Sequence, residues 1–187
     1  MTNIQFIDEM KTTERVKLSF WNSINHYLIV LFTFIPLILS IYSYFEFYLT
    51  NSYTGVKTPS EMLVVSIPFT IAGIFFYYIQ YKRLKFITLK TNLSQNKIQE
   101  IVSETAKQLE WIKITKSVNL TIFKTFPNWS TGSWGEQITI IINDDKVLIN
   151  SICDPDKTSS IVSFGRNKKN VITLLQNINN AQIHLSK

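Results

Sequence analysis

Tyr27–Phe45, YLIVLFTFIPLILSIYSYF, and Met62–Tyr81, MLVVSIPFTIAGIFFYYIQY, are uncharged runs that decide how the chain is organised. At about 1.5 Å rise per residue, some 20 helical residues span the roughly 30 Å hydrocarbon layer of a bilayer. A helix also satisfies its own backbone hydrogen bonds, which lipid cannot do. Two such runs joined by a short polar connection predict a transmembrane hairpin over residues 25–81. Residues 1–24 then form an N-terminal cytosolic or interfacial segment. Residues 82–187 are long enough for one small soluble domain.

Charge is distributed unevenly along these parts. The chain carries 19 Lys/Arg against 13 Asp/Glu, a net +6. Residues 1–24 are neutral overall, and the excess lies in the tail beyond residue 81. Arg15 and Lys17 precede the first run, while Lys82, Arg83, Lys85 and Lys90 crowd the exit of the second. The loop between them offers only Lys57. Because Lys and Arg are retained on the cytoplasmic side, both termini are expected inside and the loop outside. Trp21, Tyr27, Tyr48, Tyr53, Tyr77, Tyr78 and Tyr81 stand where aromatic residues anchor spans at the two interfaces. The predicted location is the cytoplasmic (inner) membrane, with two spans.

More than twenty polar or mixed residues precede the first run, which is also longer than a typical signal-peptide core, so it reads as a retained anchor. The abundance of Ile, Asn and Lys suggests a bacterial source with an AT-rich genome. A single cysteine, Cys153, forms no intramolecular disulfide. Pro36 and Pro68 lie inside the spans, where kinks are expected. Thr70-Ile71-Ala72-Gly73 offers small residues that let the first span approach closely. Neither run holds an ionisable group at mid-depth, as an ion or proton route would.

The tail begins with a soluble helical stripe. Ile98, Ile101, Val102, Thr105, Ala106 and Leu109 follow helical spacing, and Ser94 is a suitable N-cap. Extended runs follow at Ile112–Lys116, Asn119–Phe126, Gln137–Asn143, Val147–Cys153 and Ser160–Phe164, with a turn at residues 143–146. Ile138, Ile140 and Ile142 alternate with Thr139, Ile141 and Asn143, as in a strand with one well-buried face. A last helix runs from about Asn167 to Asn180. The predicted fold class is an α+β membrane protein: the hairpin, then a two-layer domain with an antiparallel sheet and two helices. Upstream, Ile4, Ile7 and Met10, then Val16, Phe20 and Ile24, suggest an interfacial helix.

Two segments attract chemical attention. Arg166, Asn167, Lys168 and Lys169 place three cations at the start of the last helix, where the dipole disfavours them unless an anion is bound. With the domain tied to the inner leaflet, acidic lipid headgroups are the most accessible anion. Trp129 and Trp134, in a glycine-bearing loop, could clamp a ligand, insert at the membrane interface, or fold over the end of the sheet. Asp144/Asp145 and Asp154/Asp156 occupy turns, where Asp bonds the backbone. His26 and His184 lie far apart in sequence. No metal cluster, Cys–His pair or phosphate-binding glycine motif is present, so no metal or cofactor is expected.

The tail's helix ending in Leu109-Glu110-Trp111, its strands through Ile149-Asn150-Ser151, and Ser163-Phe164-Gly165-Arg166-Asn167 opening the last helix resemble small uncharacterised bacterial α+β domains. The resemblance covers about residues 94–180 and implies no reaction.

The sequence thus points to a non-enzymatic membrane-anchored binding protein, such as an immunity or accessory protein. Its expected partners are membrane lipids and a protein, with self-association through the transmembrane helices as a further route. Nucleic acid is not expected, because nothing places the aromatics and cations in one groove. The competing readings are a membrane-associated enzyme using Asp154, Asp156 and the tryptophan loop, and a subunit of an oligomeric pore.

Overall fold

The computed structural model describes residues 3–117, 119–126, 134–143, 145–157, 160 and 162–185. A short helix α1 (Asn3–Thr13) precedes two long apolar helices, α2 (Phe20–Phe45), which continues into a π-helical turn at Glu46–Thr50, and α3 (Pro59–Arg83). Ser19 caps α2 by accepting from the Asn22 amide at 3.3 Å. At α3, Thr58 and Glu61 form a reciprocal capping box ahead of the helix, with Pro59 in its first turn. Both long helices are apolar and long enough to cross a membrane.

They approach closely because small residues meet between them. A Cβ added to Gly73 would fall 2.6 Å from Thr33 Oγ1 and 2.9 Å from the Phe34 ring, so the expected close contact at Thr70–Gly73 is present. Ser40 Oγ faces the carbonyls of Pro36 (2.8 Å) and, across the interface, Met62 (2.9 Å). Near the end that joins the domain, Gln80 Nε2 donates to the His26 carbonyl at 2.7 Å. That polar lock fixes the register of the pair.

The domain contains strands β1 (Ile87–Lys90), β2 (Ile112–Lys116), β3 (Leu120–Lys124), β4 (Glu136–Asn143) and β5 (Lys146–Cys153), with helices α4 (Gln95–Gln108) and α5 (Arg166–Leu185). They form one five-stranded sheet in the order β1-β5-β4-β3-β2, with every pairing antiparallel. Ser94 caps α4 as expected, accepting from the Lys97 amide at 3.4 Å. Ile98, Ile101, Val102 and Ala106 of α4, with Val171, Leu174 and Ile178 of α5, pack on Phe123, Ile138, Ile140, Ile142, Val147 and Ile149.

The structure corrects three expectations. The domain has three layers rather than two, because Ile7 and Met10 of α1, with Val16 and Phe86, cover Leu120, Ile141 and Leu148 on the opposite face. This is why the outward positions of β4, Thr139 and Ile141, are buried as well. The apolar residues Ile7, Met10 and Val16, expected to lie in an interface, are used to close the sheet. β1 was hidden in the basic exit of α3, where lysines mask a short edge strand. Finally, 162–163 are not strand: the described part of that segment is a loop, with Ser160 bonding Val162 and the chain turning through left-handed Phe164 (φ 46°) and Gly165 (φ 81°) into α5.

Candidate functional site

The described chemistry-bearing residues converge where the hairpin joins the sheet. The segments before and after the hairpin pair with each other: Val16 donates to the Leu84 carbonyl (2.7 Å) and Phe86 to the Glu14 carbonyl (2.8 Å). Asn25 of α2 donates to the carbonyls of Pro155 (2.5 Å) and Lys157. Asn150 of β5 donates to the carbonyls of Arg83 (2.7 Å) and Lys85 (2.9 Å). Arg15 stacks 3.6 Å above Tyr81 and donates to its carbonyl. The apolar helices are thereby fastened to one end of the sheet.

At that end the cations predicted to act together are separated. Arg166 Nε lies 3.1 Å from Glu136 Oε2, and the Glu136 side chain is fully buried. Thr125 donates to the same carboxylate oxygen. Asn167 accepts from Ser151 (2.9 Å), Asn170 donates to Ser151 (3.1 Å), and Trp111 Nε1 donates to Asn170 (3.2 Å), tying α5 to β5 and to the end of α4. Arg166 and Asn167 are therefore engaged within the domain. Lys168 lines one cavity with Lys82, Arg83 and Lys85, and both Lys168 and Lys169 are exposed. Glu136 was legible in principle: it shares strand parity with the inward-facing Ile138, Ile140 and Ile142.

On the α1 side, Lys124 bridges buried Asp154 at 2.7 Å and also contacts Asp156. Its bond is the main reason the Asp156 carboxyl is held below the usual carboxylate range, against a smaller desolvation effect. Burial pushes the Cys153 thiol up, more than the nearby Arg83 lowers it. A thiol pushed up by burial and carboxylates paired with Lys124 do not resemble an activated nucleophile. Among the described residues no cluster of three His, Cys, Asp or Glu could hold a metal.

Large apolar side chains also stand exposed around this end: Phe126 at 67%, Trp134 at 57%, Val162 at 51% and Phe164 at 69%. Trp134 is more than half exposed; Trp129 lies outside the described residues. Between the exit of α3, the edge of β5 and the start of α5 is a cavity of about 520 Å³, rimmed by Lys82, Arg83, Lys85 and Lys168. No family model, curated protein or solved structure matches the chain.

Proposed function

We propose that the chain is a non-enzymatic, membrane-anchored binding protein of the cytoplasmic membrane. Its α2 and α3 cross the bilayer as a hairpin, and both termini and the α+β domain lie on the cytoplasmic side. The carrying observation is the exposed apolar girth of those helices: only 17% and 11% of their most apolar windows are buried. A core helix of a soluble domain would be mostly covered, and exposed apolar surface on this scale calls for lipid or another apolar partner. The clustering of Arg15, Lys17, Lys82, Arg83 and Lys85 at one end, against Lys57 near the other, supports the orientation.

Binding is favoured over catalysis because the carboxylates a lipid-acting enzyme would need are engaged by Lys124. The bonds from Asn25 and Asn150 support a domain held against the bilayer, ready to meet a ligand or protein there.

Reporter fusions after Ser94 and at Lys187 should read cytoplasmic, and a tag placed in Tyr53–Thr58 should be accessible from outside. The chain should resist alkaline extraction from membranes. Release by alkali would remove the anchoring, and an externally accessible C-terminus would reverse the sidedness.

A further inference from the structure

β1 pairs with β5 only from Lys146 to Ile149, so the β1 ladder stops short of the β5 segment from Asn150 to Cys153. The chain leaving α3 passes this stretch but turns to pair with residues 14–16 instead. The result is the cavity of about 520 Å³ between α3, β5 and α5. Lys82, Arg83, Lys85 and Lys168 line it, and among the described residues no Asp or Glu does. Cations gathered around one hollow repel one another unless an anion enters, although Lys82 Nζ also stands 4.8 Å from the Tyr78 ring centroid.

A further observation points to a missing ligand. Arg83 Nη1 is shut off from water and has no hydrogen-bond partner among the described residues. Unmatched buried polar atoms cost about 1–3 kcal/mol each, more when charged, and are rare in folded proteins. A phosphate group entering beside Arg83 would complement it, its oxygens taking the guanidinium. Part of the wall is apolar, formed by Ile87, Ile172 and Leu175.

We infer that this notch binds a phosphate group borne on an amphiphile, an anionic lipid headgroup at the mouth of the hairpin. The inference rests on the membrane reading for its source of ligand, since Lys82 and Arg83 end a span and stand at headgroup depth. Guanidinium suits phosphate because its planar donors match two oxygens at once. The lysines add point charge, and the apolar wall receives the glycerol and upper acyl carbons.

The full chain, purified in uncharged detergent, is offered an equal mixture of phosphatidylglycerol and phosphatidylcholine with matched acyl chains, and retained lipid is counted by native mass spectrometry. The parent should retain phosphatidylglycerol preferentially. Lys82→Gln/Lys85→Gln/Lys168→Gln should cut that preference at least tenfold. Each membrane-proximal cation is worth about 1 kcal/mol, roughly fivefold. Lys168→Gln alone, at an exposed position, should reduce it severalfold even if the triple variant folds poorly. Lys90→Gln/Lys146→Gln, at the far end of the same strand pair, should leave it unchanged.

A second arm titrates inorganic phosphate and follows the amide shifts of Asn167 and Lys168. Shifts with both ligands establish a phosphate site, and shifts with phosphate alone establish one supplied from solution. Response only to the lipid establishes that the apolar wall is needed. If the parent holds both lipids equally and ignores phosphate while resisting alkaline extraction, the notch proposal falls and the anchor stands. If alkali releases the chain, the anchor reading falls instead.

Discussion

A carboxylate fully removed from water is tolerated only with a cation and hydrogen bonds around it, so Arg166 is committed to Glu136 before it can serve a ligand. Arg166→Gln should destabilise the domain by about 3–5 kcal/mol, because it strands a buried charge. Lys169→Gln, at an exposed position, should stay within about 0.5 kcal/mol. Urea melts of the full chain in mild detergent compare the two, and equal midpoints would show that Glu136 does not depend on Arg166. The Lys124 group gives a pH test. Burial pulls the Lys124 ammonium down, but its bonds to Asp154 and Asp156 outweigh this and leave it above the ordinary lysine value. A raised lysine contributes stability that is full below its unfolded pKa and lost as pH rises through the folded value. The lowered Asp156 contributes stability present above its unfolded pKa and lost as pH falls through the folded value. The stability lost by Lys124→Met should therefore be greatest between those limits and shrink toward both extremes. A constant difference from acid to alkali would remove the triad from the account.

Helix α1 shows what strand periodicity alone leaves out. Ile138, Ile140 and Ile142 correctly mark one buried face, yet Thr139 and Ile141 are also buried, because a helix from the other side of the hairpin returns to cover them. Nothing local to β4 announces a layer contributed by residues far upstream. The apolar stripe at Ile7, Met10 and Val16 was visible, but a stripe states that a face is buried and not against what. The same limit applies to the candidate site. The basic residues at 166–169 could be read, whereas their division between Glu136 and the α3 exit depends on which strand lies beneath. Helices α4 and α5, the Ser94 cap and the β4–β5 pairing were legible because their signals are local. Met10→Asp follows from the third layer: it places an unpaired charge against Ile141 and Leu148 and should cost about 3 kcal/mol or more. Asp at exposed Thr12 should be nearly neutral by the same melt. Equal effects would mean that α1 rests on the domain without closing it.

The whole molecule has polarity along the axis of its hairpin. Phe126, Trp134, Gly135 and residues 154–157 stand at the sheet end to which Asn25 is bonded, while Asn143 and Lys146 pair at the opposite end of β4 and β5. Phe126, Trp134, Val162 and Phe164 are exposed at or beside the Asn25 end, near the start of α2 where Phe20 and Trp21 are exposed too. On a soluble domain so much aromatic surface would favour aggregation, but if α2 and α3 span the bilayer as proposed, it would meet headgroups and upper acyl chains, where amphipathic rings are stable. The domain is then expected to sit on the bilayer by this end, with Lys168 and the α3 exit cations at headgroup level. A nitroxide attached at Phe164→Cys in the reconstituted chain should collide readily with oxygen and poorly with a polar nickel complex. One at Lys146→Cys should show the reverse, while buried Cys153 remains unlabelled. If both positions report water alike, the domain hangs free of the surface, and Phe126, Trp134 and Phe164 must be covered by a protein partner instead of lipid.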